Sequence, residues 1–393
     1  MNPPDSIRLT AIGTYLPETR VPNQPAAAAL GVSENALQTK IGIHTRAVKH
    51  PRQRTSDLCV EACDDLRRHA NVDLDAIQLL CVVTQNPDQR IPHTSAIVHE
   101  KLGLSSGCMT FDLSQGCAGY THGLAATTAL ADRYGFEHVL LCTCDPYTTI
   151  VDPHDRNTAL LFADAATATY LTTNAAGYRI VDGDFGTAPG TTSVLRCGAE
   201  HLTMDGRGVF LNAAREAPRS VERLLGRNGL GPQDVDLFLA HPGSKRIVEV
   251  VREELAVDEH RLPFEIARYG NTVSSSLPLM LAPRLRAEPP RTVLLAGFGV
   301  GFTWGTTLIR YTPGTEHPMI TARDISNLMT GIDTGVETLE PHLPLADQGV
   351  DSMDMTTLLT RIEKTYDITI PTAAADELHS LDQLAEYVNA AGA

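Results

Sequence analysis

Short apolar runs alternate with amphipathic stretches along most of this chain, and that alternation limits its fold more than any other feature. Runs such as IQLLCVVT, HVLLCTCD and TVLLAGFG have the length and the apolar content of strands. Between such runs, apolar residues recur at helical spacing, for example from Thr55 to His69, from Thr94 to Leu102 and onwards from Ala118. Strands that alternate with helices predict an α/β fold whose strands are buried and largely parallel.

The order of elements begins again near residue 200. A helix is predicted near Gly208 to Asn228, and after the strand VDLFLAHP two more follow, near Lys245 to Leu255 and near Ser275 to Arg286. Two strands then close the series. No repeat is visible residue by residue, but the similar order predicts one domain at residues 1–311, with two similar α/β halves at about 1–175 and 176–311.

The C-terminal fifth of the chain has a different character. Residues 312–319, TPGTEHPM, contain two prolines and a glycine and predict a linker. Only helical patterns follow, and they predict a small all-α bundle at residues 320–393. Of the formal net charge of -15, the segment from Gly314 onwards carries -11, from three lysine or arginine residues against fourteen aspartate or glutamate residues. We expect a separate acidic domain.

Charge and hydropathy argue against two classes of partner. A nucleic acid backbone requires a basic stripe, which a chain with this acidic balance does not offer. The sequence contains no stretch of about 18 uncharged apolar residues, and the N-terminal MNPPDSIRLT lacks the basic and apolar blocks of a signal peptide. We therefore expect a cytoplasmic protein that binds neither nucleic acid nor a membrane.

One of the eight cysteines has the setting of a nucleophile. None of them forms a CxxC pair or a zinc-ligand spacing with a histidine, so we expect no metal. Cys117 lies in FDLSQGCAGYTHGL, where an apolar strand passes through a glycine directly into small helix-forming residues. The first N–H groups of such a helix, together with its dipole, favour a thiolate. Cys81 and Cys142 lie in strand-like runs and Cys59 and Cys63 on one helix face, so these four are expected in the core.

An acyl-accepting cysteine needs hydrogen-bond donors close to it, and two residues are candidates. His241 ends the apolar strand VDLFLAHP, where a buried histidine is also compatible with a purely structural role. Asn271 in YGNTVSSSLP is equally compatible with a turn beside Gly270. Neither residue identifies a site alone, but both belong to a wider pattern.

That wider pattern resembles the ketoacyl-ACP synthase III family over about residues 7–311. The resemblance lies, in chain order, in FDLSQGCAGYTHGL, LLFADAATATYL, HLTMDGRGVF, HPGSKRIV, YGNTVSSSLPLML and GFGVGFTWGTTLIRY. It implies the thiolase fold, a homodimer formed through this domain, and a catalytic triad of Cys117, His241 and Asn271. In the implied chemistry Cys117 takes an acyl group from a thioester, while His241 and Asn271 hydrogen-bond a malonyl thioester that loses carbon dioxide. The backbone N–H groups of Cys117 and Val300 are expected to form the oxyanion hole.

Several positions depart from the family pattern. Ala36 and Lys40 stand where relatives have a Trp and an Arg that clasp the nucleotide of coenzyme A, which argues against a coenzyme A primer. Ser244 replaces an Asn that commonly follows the catalytic His, which favours altered activation of malonyl. Lys40, Arg156 and Arg246 are candidate contacts for a phosphate or for pantetheine, although solvated surface positions explain Arg156 and Arg246 equally well.

The segment LADQGVDSMDMTTLLTRIEKTYDITIP carries a second candidate site. Ser352 follows an aspartate and begins an amphipathic helix, and an ordinary helix N-cap is the alternative interpretation. The whole segment, in its acidic surroundings, closely resembles acyl carrier proteins. The resemblance implies that a phosphopantetheinyl transferase attaches 4'-phosphopantetheine to Ser352, and that Asp351, Asp354 and Glu363 dock on basic patches of a partner enzyme.

Three functions remain open at this stage. The first is decarboxylative condensation of an acyl group on Cys117 with a malonyl-type thioester, with the fused carrier holding substrate or product, in specialised fatty-acid or polyketide biosynthesis. The second is transfer of the acyl group from Cys117 to a hydroxyl, amine or thiol without decarboxylation. The third is an inactive scaffold that carries a functional carrier domain. The triad Cys117, His241 and Asn271 favours condensation.

Overall fold

The computed structural model describes residues 7–173, 175–198, 201–313, 320–330, 339–366, 368–375 and 377–391. The chain divides into two compact units, Met1–Gly314 and Thr315–Ala393. Most of the predicted linker, residues 314–319, lies outside the described residues. Each unit is therefore treated by itself.

Thirteen strands are present among the described residues of the first unit. They are β1 (Arg8–Tyr15), β2 (Arg20–Pro22), β3 (Thr45–Ala47), β4 (Leu79–Val83), β5 (Met109–Leu113), β6 (His138–Cys144), β7 (Ala166–Thr172), β8 (Gly177–Thr187), β9 (Leu195–Cys197), β10 (Leu202–Met204), β11 (Leu237–Ala240), β12 (Thr292–Gly299) and β13 (Thr303–Thr312).

Helices α3 to α8 of the first unit lie close to the ranges that the apolar spacing predicts, whereas α1 and α2 were not predicted. They are α1 (Asn23–Ala29), α2 (Glu34–Ala36), α3 (Thr55–His69), α4 (Thr94–Leu102), α5 (Gly119–Tyr134), α6 (Gly206–Arg227), α7 (Lys245–Glu254) and α8 (Ser276–Leu285). Gly103 and Gly135 end α4 and α5 in the left-handed conformation, with φ of 66° and 68°. A residue with a Cβ is strained in that conformation, which explains the glycines at both ends.

Nine strands form one sheet, in the order β11-β12-β13-β8-β1-β7-β6-β4-β5. In the first half β1 and β6 pair antiparallel to β7, and β4 pairs parallel to β6. In the second half β8 and β12 pair antiparallel to β13, and β11 pairs parallel to β12. The same four-strand pattern thus occurs twice, on either side of the β1–β8 pair, as the repeated element order predicted.

The expectation of a largely parallel sheet is wrong, because the sheet is mixed. Both β7 and β13 run antiparallel to their two neighbours. Strand β7 is buried along its whole length and β13 along most of it. A strand that is covered on both faces shows no alternation of apolar and polar residues, so its sequence does not reveal its direction.

Helices cover the sheet on both faces and carry three apolar cores. One core joins α5 and α8 to strands of both halves, including Tyr120, Leu124 and Leu281. A second lies under α3 and α4, and a third lies under α6 and α7. Helix α5 contacts strands of both halves, so the residues before it lie where the two halves meet.

The second unit is helical in its described residues, as predicted. It contains α9 (Ala322–Asn327), α10 (Ser352–Tyr366), α11 (Thr372–Ala375) and α12 (Leu381–Ala391). Its own core includes Ile325, Leu358, Ile362 and Leu384, all fully buried. A unit of this size with one continuous apolar core is a small domain in its own right.

Candidate active site

Cys117 lies at the corner between β5 and α5, where the sequence placed it. Its side chain is 4% exposed, and helix α5 begins two residues later. The backbone N–H groups of Val300 and of Cys117 itself both point towards the Sγ atom. A Cβ on Gly299 would lie 2.7 Å from the Sγ atom. Strand β12 can therefore approach the sulfur only because its last residue is glycine.

Burial opposes the thiolate that the sequence predicts at Cys117. Burial raises the pKa of Cys117 to about 12, and the nearby carboxylate of Asp145 raises it further. The N–H groups of Val300 and Cys117 lower this pKa, but by less than burial raises it. The loss of solvation therefore outweighs these two N–H groups, and we expect Cys117 to lose its proton as it attacks the thioester.

His241 follows β11 and is 2% exposed. Its backbone N–H donates to the carbonyl of Ala296 at 2.8 Å, and its ring meets Phe298 edge-on with the ring centres 5.9 Å apart. Burial lowers the pKa of His241 to about 3, so the imidazole is neutral at physiological pH. Among the described residues, its Nδ1 atom has no hydrogen-bond partner. A neutral imidazole can donate one hydrogen bond or accept a proton.

Asn271 is held by backbone hydrogen bonds on both sides. Its N–H donates to the carbonyl of Leu161 at 2.9 Å, and its own carbonyl accepts from the N–H of Ala163 at 2.8 Å. The side-chain Oδ1 accepts from the N–H of Val273 at 2.9 Å. Because this bond occupies the oxygen, the NH2 group is left as a donor, and Asn271 is only 3% exposed.

A single cavity of 360 Å³ brings the three predicted catalytic residues together. Cys117, His241 and Asn271 all line it. Much of the remaining wall is apolar and includes Phe162, Leu195, Met204, Val209, Phe210 and Phe298. The three catalytic side chains are themselves buried, and in such surroundings hydrogen bonds to a developing negative charge are strong.

The three predicted basic residues also line this cavity, and all three are exposed. Arg246 is partly neutralised, since its guanidinium lies 3.4 Å from Glu249 and 3.5 Å from Glu253. No such ion pair is found for Lys40 or Arg156 within the described part of the chain. Ser244 lines the cavity as well, and it precedes helix α7 without capping it through its side chain.

Two further buried polar residues beside Cys117 escaped the sequence analysis. Asp145 follows β6 directly and accepts from the Gln85 N–H at 2.6 Å and from the Ser274 hydroxyl at 2.5 Å. Burial raises the pKa of Asp145 to about 6 although these bonds oppose the shift. Tyr147, two residues on, is 2% exposed and belongs to the apolar cluster around Cys117. The sequence does contain a signal for Asp145, because an acidic residue there directly follows a buried strand.

The other cysteines have no part in the cavity. Cys59, Cys63, Cys81, Cys142 and Cys144 are fully buried in the apolar cores, as expected of small core residues. No group of three or more metal-ligating side chains with a suitable arrangement occurs among the described residues.

Ser352 in the second unit is exposed at the first position of α10. The alternative of an N-cap serine is wrong, because Asp351 supplies the cap. Its Oδ1 accepts from the N–H of Met353 at 2.8 Å and of Asp354 at 2.9 Å. The Ser352 hydroxyl is therefore not needed for the helix, and it lies beside a cavity of 330 Å³ that Leu345, Met355 and others line.

A cysteine, a histidine and an asparagine in one apolar cavity, on a duplicated mixed α/β fold, define a thiolase-like condensing enzyme. Residues 111–189 match the family described as 3-oxoacyl-(acyl-carrier-protein) synthase III, and residues 225–311 match the C-terminal part of the same family. Residues 330–388 match the phosphopantetheine attachment site. The chain belongs to the β-ketoacyl-(acyl-carrier-protein) synthase III family and carries a phosphopantetheine carrier domain at its C-terminal side.

Relatives of known sequence or structure cover the first unit. The β-ketoacyl-(acyl-carrier-protein) synthase III of Geobacillus kaustophilus is 31% identical over 306 residues, which are 77% of this chain and 98% of the relative. The synthase III structure from Thermus thermophilus is 32% identical, has a TM-score of 0.72, and matches over 78% of this chain and 100% of its own. A priming β-ketosynthase of a polyketide biosynthetic pathway is 26% identical, with a TM-score of 0.72 over 78% of this chain and 96% of its own.

Among the helices of the described residues, none has the length and apolarity that crossing a bilayer requires.

Proposed function

We propose that the protein condenses an acyl group held on Cys117 with a malonyl-type thioester to give a β-ketoacyl thioester and carbon dioxide. The supporting observation is that Cys117, His241 and Asn271 line one buried cavity. Two of these residues present neutral hydrogen-bond donors, which can stabilise negative charge on a substrate without being deprotonated themselves.

The reaction takes place in two half-reactions. In the first, the sulfur of Cys117 attacks the carbonyl carbon of an acyl thioester, the donor thiol leaves with the proton, and the acyl group is bound to Cys117. In the second, the bond between the malonyl carboxylate and its α-carbon breaks and carbon dioxide leaves. The electron pair forms an enolate, whose oxygen accepts hydrogen bonds from His241 and Asn271.

The enolate carbon then attacks the acyl carbonyl on Cys117. The oxygen of the tetrahedral intermediate accepts hydrogen bonds from the backbone N–H groups of Cys117 and Val300, which already point towards the Sγ atom. The carbon–sulfur bond breaks, the β-ketoacyl thioester leaves, and the thiolate takes up a proton from water. Because the resting pKa of Cys117 is high, this last proton transfer is strongly favourable.

The carrier domain is proposed to bear 4'-phosphopantetheine on Ser352, attached by a phosphopantetheinyl transferase, and to hold the malonyl unit or the product. The exposure of Ser352 supports this role, since a transferase must reach the hydroxyl. Fusion to the synthase keeps the carrier at a high effective concentration. The acidic surface with Asp351 and Asp354 suits docking on basic residues, and Lys40, Arg156 and Arg246 line the cavity of the synthase unit.

The free edge of the sheet supports a homodimer of the synthase unit. Strand β5 is the last strand of the nine-stranded sheet, and its first residue, Met109, is 41% exposed. Ile91 is 87% exposed, and a partner subunit would remove its apolar side chain from water. We propose that the dimer forms in the cytoplasm, where acyl thioesters and the transferase are present.

A specialised pathway is proposed instead of bulk fatty-acid synthesis. Ala36 and Lys40 replace the nucleotide-clasping pair of the family, which favours carrier-bound or pantetheine-bound donors over coenzyme A. The likeness to a priming β-ketosynthase of polyketide biosynthesis also supports a specialised pathway. The dedicated carrier on the same chain supports it further.

The test of this function uses a small extender. Purified protein is incubated with an acyl-pantetheine thioester and malonyl-pantetheine, and the products are measured by mass spectrometry. The proposed function requires an acyl adduct on the Cys117 peptide and formation of β-ketoacyl-pantetheine, and a Cys117→Ala variant must lose both. An acylated Cys117 with malonyl-pantetheine left intact would refute condensation.

A second candidate function, transfer of the acyl group to a hydroxyl, amine or thiol, is favoured by one observation. Ser244 stands in the cavity wall where relatives commonly have an asparagine, and its side chain does not cap helix α7. If acylated Cys117 leaves malonyl intact, adding small alcohol, amine and thiol acceptors to the same assay shows whether one of them removes the acyl group.

A further inference from the structure

The side-chain amide of Asn271 is oriented by a residue in an unfavourable backbone conformation. Its Oδ1 atom accepts a hydrogen bond from the N–H of Val273 at 2.9 Å. Val273 is fully buried and has a φ of 55°, which a β-branched residue rarely adopts. Such a conformation persists only where the surrounding structure holds it. The direction of the Asn271 amide therefore depends on whatever fixes the backbone at Val273.

The next residue, Ser274, is bound to the buried carboxylate of Asp145. The Ser274 hydroxyl donates to Oδ2 of Asp145 at 2.5 Å, and the side chain is 1% exposed. The backbone N–H of Ser274 acts on the same carboxylate, since it lowers the pKa of Asp145. Hydrogen bonds to an ionised acceptor are shorter and stronger than those between neutral groups. Asp145 thus holds both the backbone and the side chain of the residue that follows Val273.

Asp145 is itself held in place by the ends of two strands. It follows β6 directly, and its Oδ1 atom accepts from the N–H of Gln85 at 2.6 Å, just beyond the parallel strand β4. With a pKa of about 6 the carboxyl is ionised at neutral pH, and an ionised carboxylate only accepts hydrogen bonds. No ion pair with Asp145 is found within the described ranges of the chain. A buried charge without a counter-ion destabilises a fold, and such groups occur mainly at functional sites.

We infer that Asp145 is a positioning residue for the decarboxylation step: through Ser274 it fixes the backbone at Val273, whose N–H directs the amide of Asn271. The inference rests on the proposed condensation and adds a residue to its second half-reaction. An asparagine at position 145 offers one acceptor oxygen in place of two, and its NH2 group cannot accept from Ser274 or from Gln85. The Asn271 amide would then lose its fixed direction, although it would remain in the cavity.

The test compares the two half-reactions in the full-length protein. Acylation of Cys117 by acetyl-pantetheine is measured by intact mass, and decarboxylation is measured as labelled carbon dioxide released from malonyl-pantetheine. Asp145→Asn should lower the decarboxylation rate by about 10²-fold, as expected when a catalytic group is displaced by about 1 Å. Acylation should not fall, because the Asp145 carboxylate raises the pKa of Cys117 and its loss favours the thiolate. Equal losses in both half-reactions would overturn the inference.

A double variant shows whether Asp145 acts through Asn271. Adding Asp145→Asn to Asn271→Ala should cause no further loss of decarboxylation, because the amide that Asp145 positions is already absent. A residue that acts independently of Asn271 would lower the rate by the same factor again. A full additional loss in the double variant would therefore overturn the inference.

Ser274→Ala gives the answer even if Asp145→Asn does not fold, because it keeps the charge and removes only the hydroxyl. It should lower decarboxylation relative to acylation, though by less than Asp145→Asn. Ser275→Ala is the matched control, since it also loses a buried hydroxyl, which donates to the carbonyl of Thr143 at 3.0 Å, and it should leave the ratio of the two rates unchanged. A wild-type ratio in Ser274→Ala would overturn the inference and leave the proposed function intact. Absence of decarboxylation in the wild-type protein would refute the proposed function itself.

Discussion

Replacing Asn271 by alanine should separate the two half-reactions of the proposed mechanism. The NH2 group of Asn271 is proposed to stabilise the enolate that forms when malonyl loses carbon dioxide. The oxyanion that forms when Cys117 is acylated is proposed to depend instead on the backbone N–H groups of Cys117 and Val300, which point towards the Sγ atom. Asn271→Ala removes the first donor and leaves the other two in place.

The size of the effect follows from the burial of the site. Asn271 is 3% exposed, so water does not readily replace the lost donor. Loss of one such donor lowers a rate by about 10²- to 10³-fold, which corresponds to about 3–4 kcal/mol. The N–H of Val273 also loses its acceptor, and an unsatisfied buried N–H lowers the free energy of unfolding by about 1–3 kcal/mol.

The assay follows both half-reactions in one sample. Acylation of Cys117 is measured by intact mass, and decarboxylation is measured as release of labelled carbon dioxide from malonyl-pantetheine. We expect acylation to stay within a few-fold of wild type, which also shows that the variant is folded. Asn157 lines the same cavity but is exposed, so Asn157→Ala serves as the matched control. Equal losses in both half-reactions, or no loss of decarboxylation, would refute the assigned role.

Three further predictions concern other parts of the chain. Because the pKa of His241 is lowered to about 3 in the folded protein, its protonation favours unfolding as the pH falls below about 6.5. Between pH 7.5 and 5.0, the free energy of unfolding of the synthase unit should therefore fall by about 2 kcal/mol more in the wild-type protein than in a His241→Gln variant. Urea unfolding followed through the single tryptophan, Trp304, measures both decreases. Equal decreases would contradict the burial argument. Gly299→Ala should block acylation of Cys117, because the new Cβ would lie 2.7 Å from the sulfur. Gly226→Ala is the control, since its Cβ would have no atom within 4 Å and acylation should continue. An acylated Gly299→Ala protein would show that β12 moves away. Ser352→Ala should abolish the mass increment that a phosphopantetheinyl transferase adds, and an increment on that variant would mean that the arm is attached elsewhere.

The sequence predicted those features that depend on neighbouring residues. The corner at Cys117 is visible because a strand, a glycine and a helix start follow one another within a few positions. The similar order of strands and helices in the two halves is visible for the same reason, and the strand pairing in the sheet shows the same repeat. Helix α10 with Ser352 at its start is visible as a local pattern, although the roles of Asp351 and Ser352 at the helix start became clear only from the hydrogen bonds.

Two features that depend on distant residues were not predicted. Gln85 and Asp145 are far apart in sequence, yet the parallel pairing of β4 and β6 brings their ends together. Tyr147 belongs to the apolar cluster around Cys117, but no local sequence pattern indicates this. The burial that raises the pKa of Cys117 is likewise not visible in the local sequence, which shows only the strand, the glycine and the helix start.

The most direct test of the account is condensation on the fused carrier. The phosphopantetheinylated protein is loaded with malonyl on Ser352 and mixed with acetyl-pantetheine, and the Cys117 and Ser352 peptides are followed by mass spectrometry. The account predicts an acetyl group on Cys117, followed by loss of carbon dioxide and an acetoacetyl mass on Ser352, with neither change in Cys117→Ala. Malonyl that stays intact on Ser352 while Cys117 remains acetylated would contradict it.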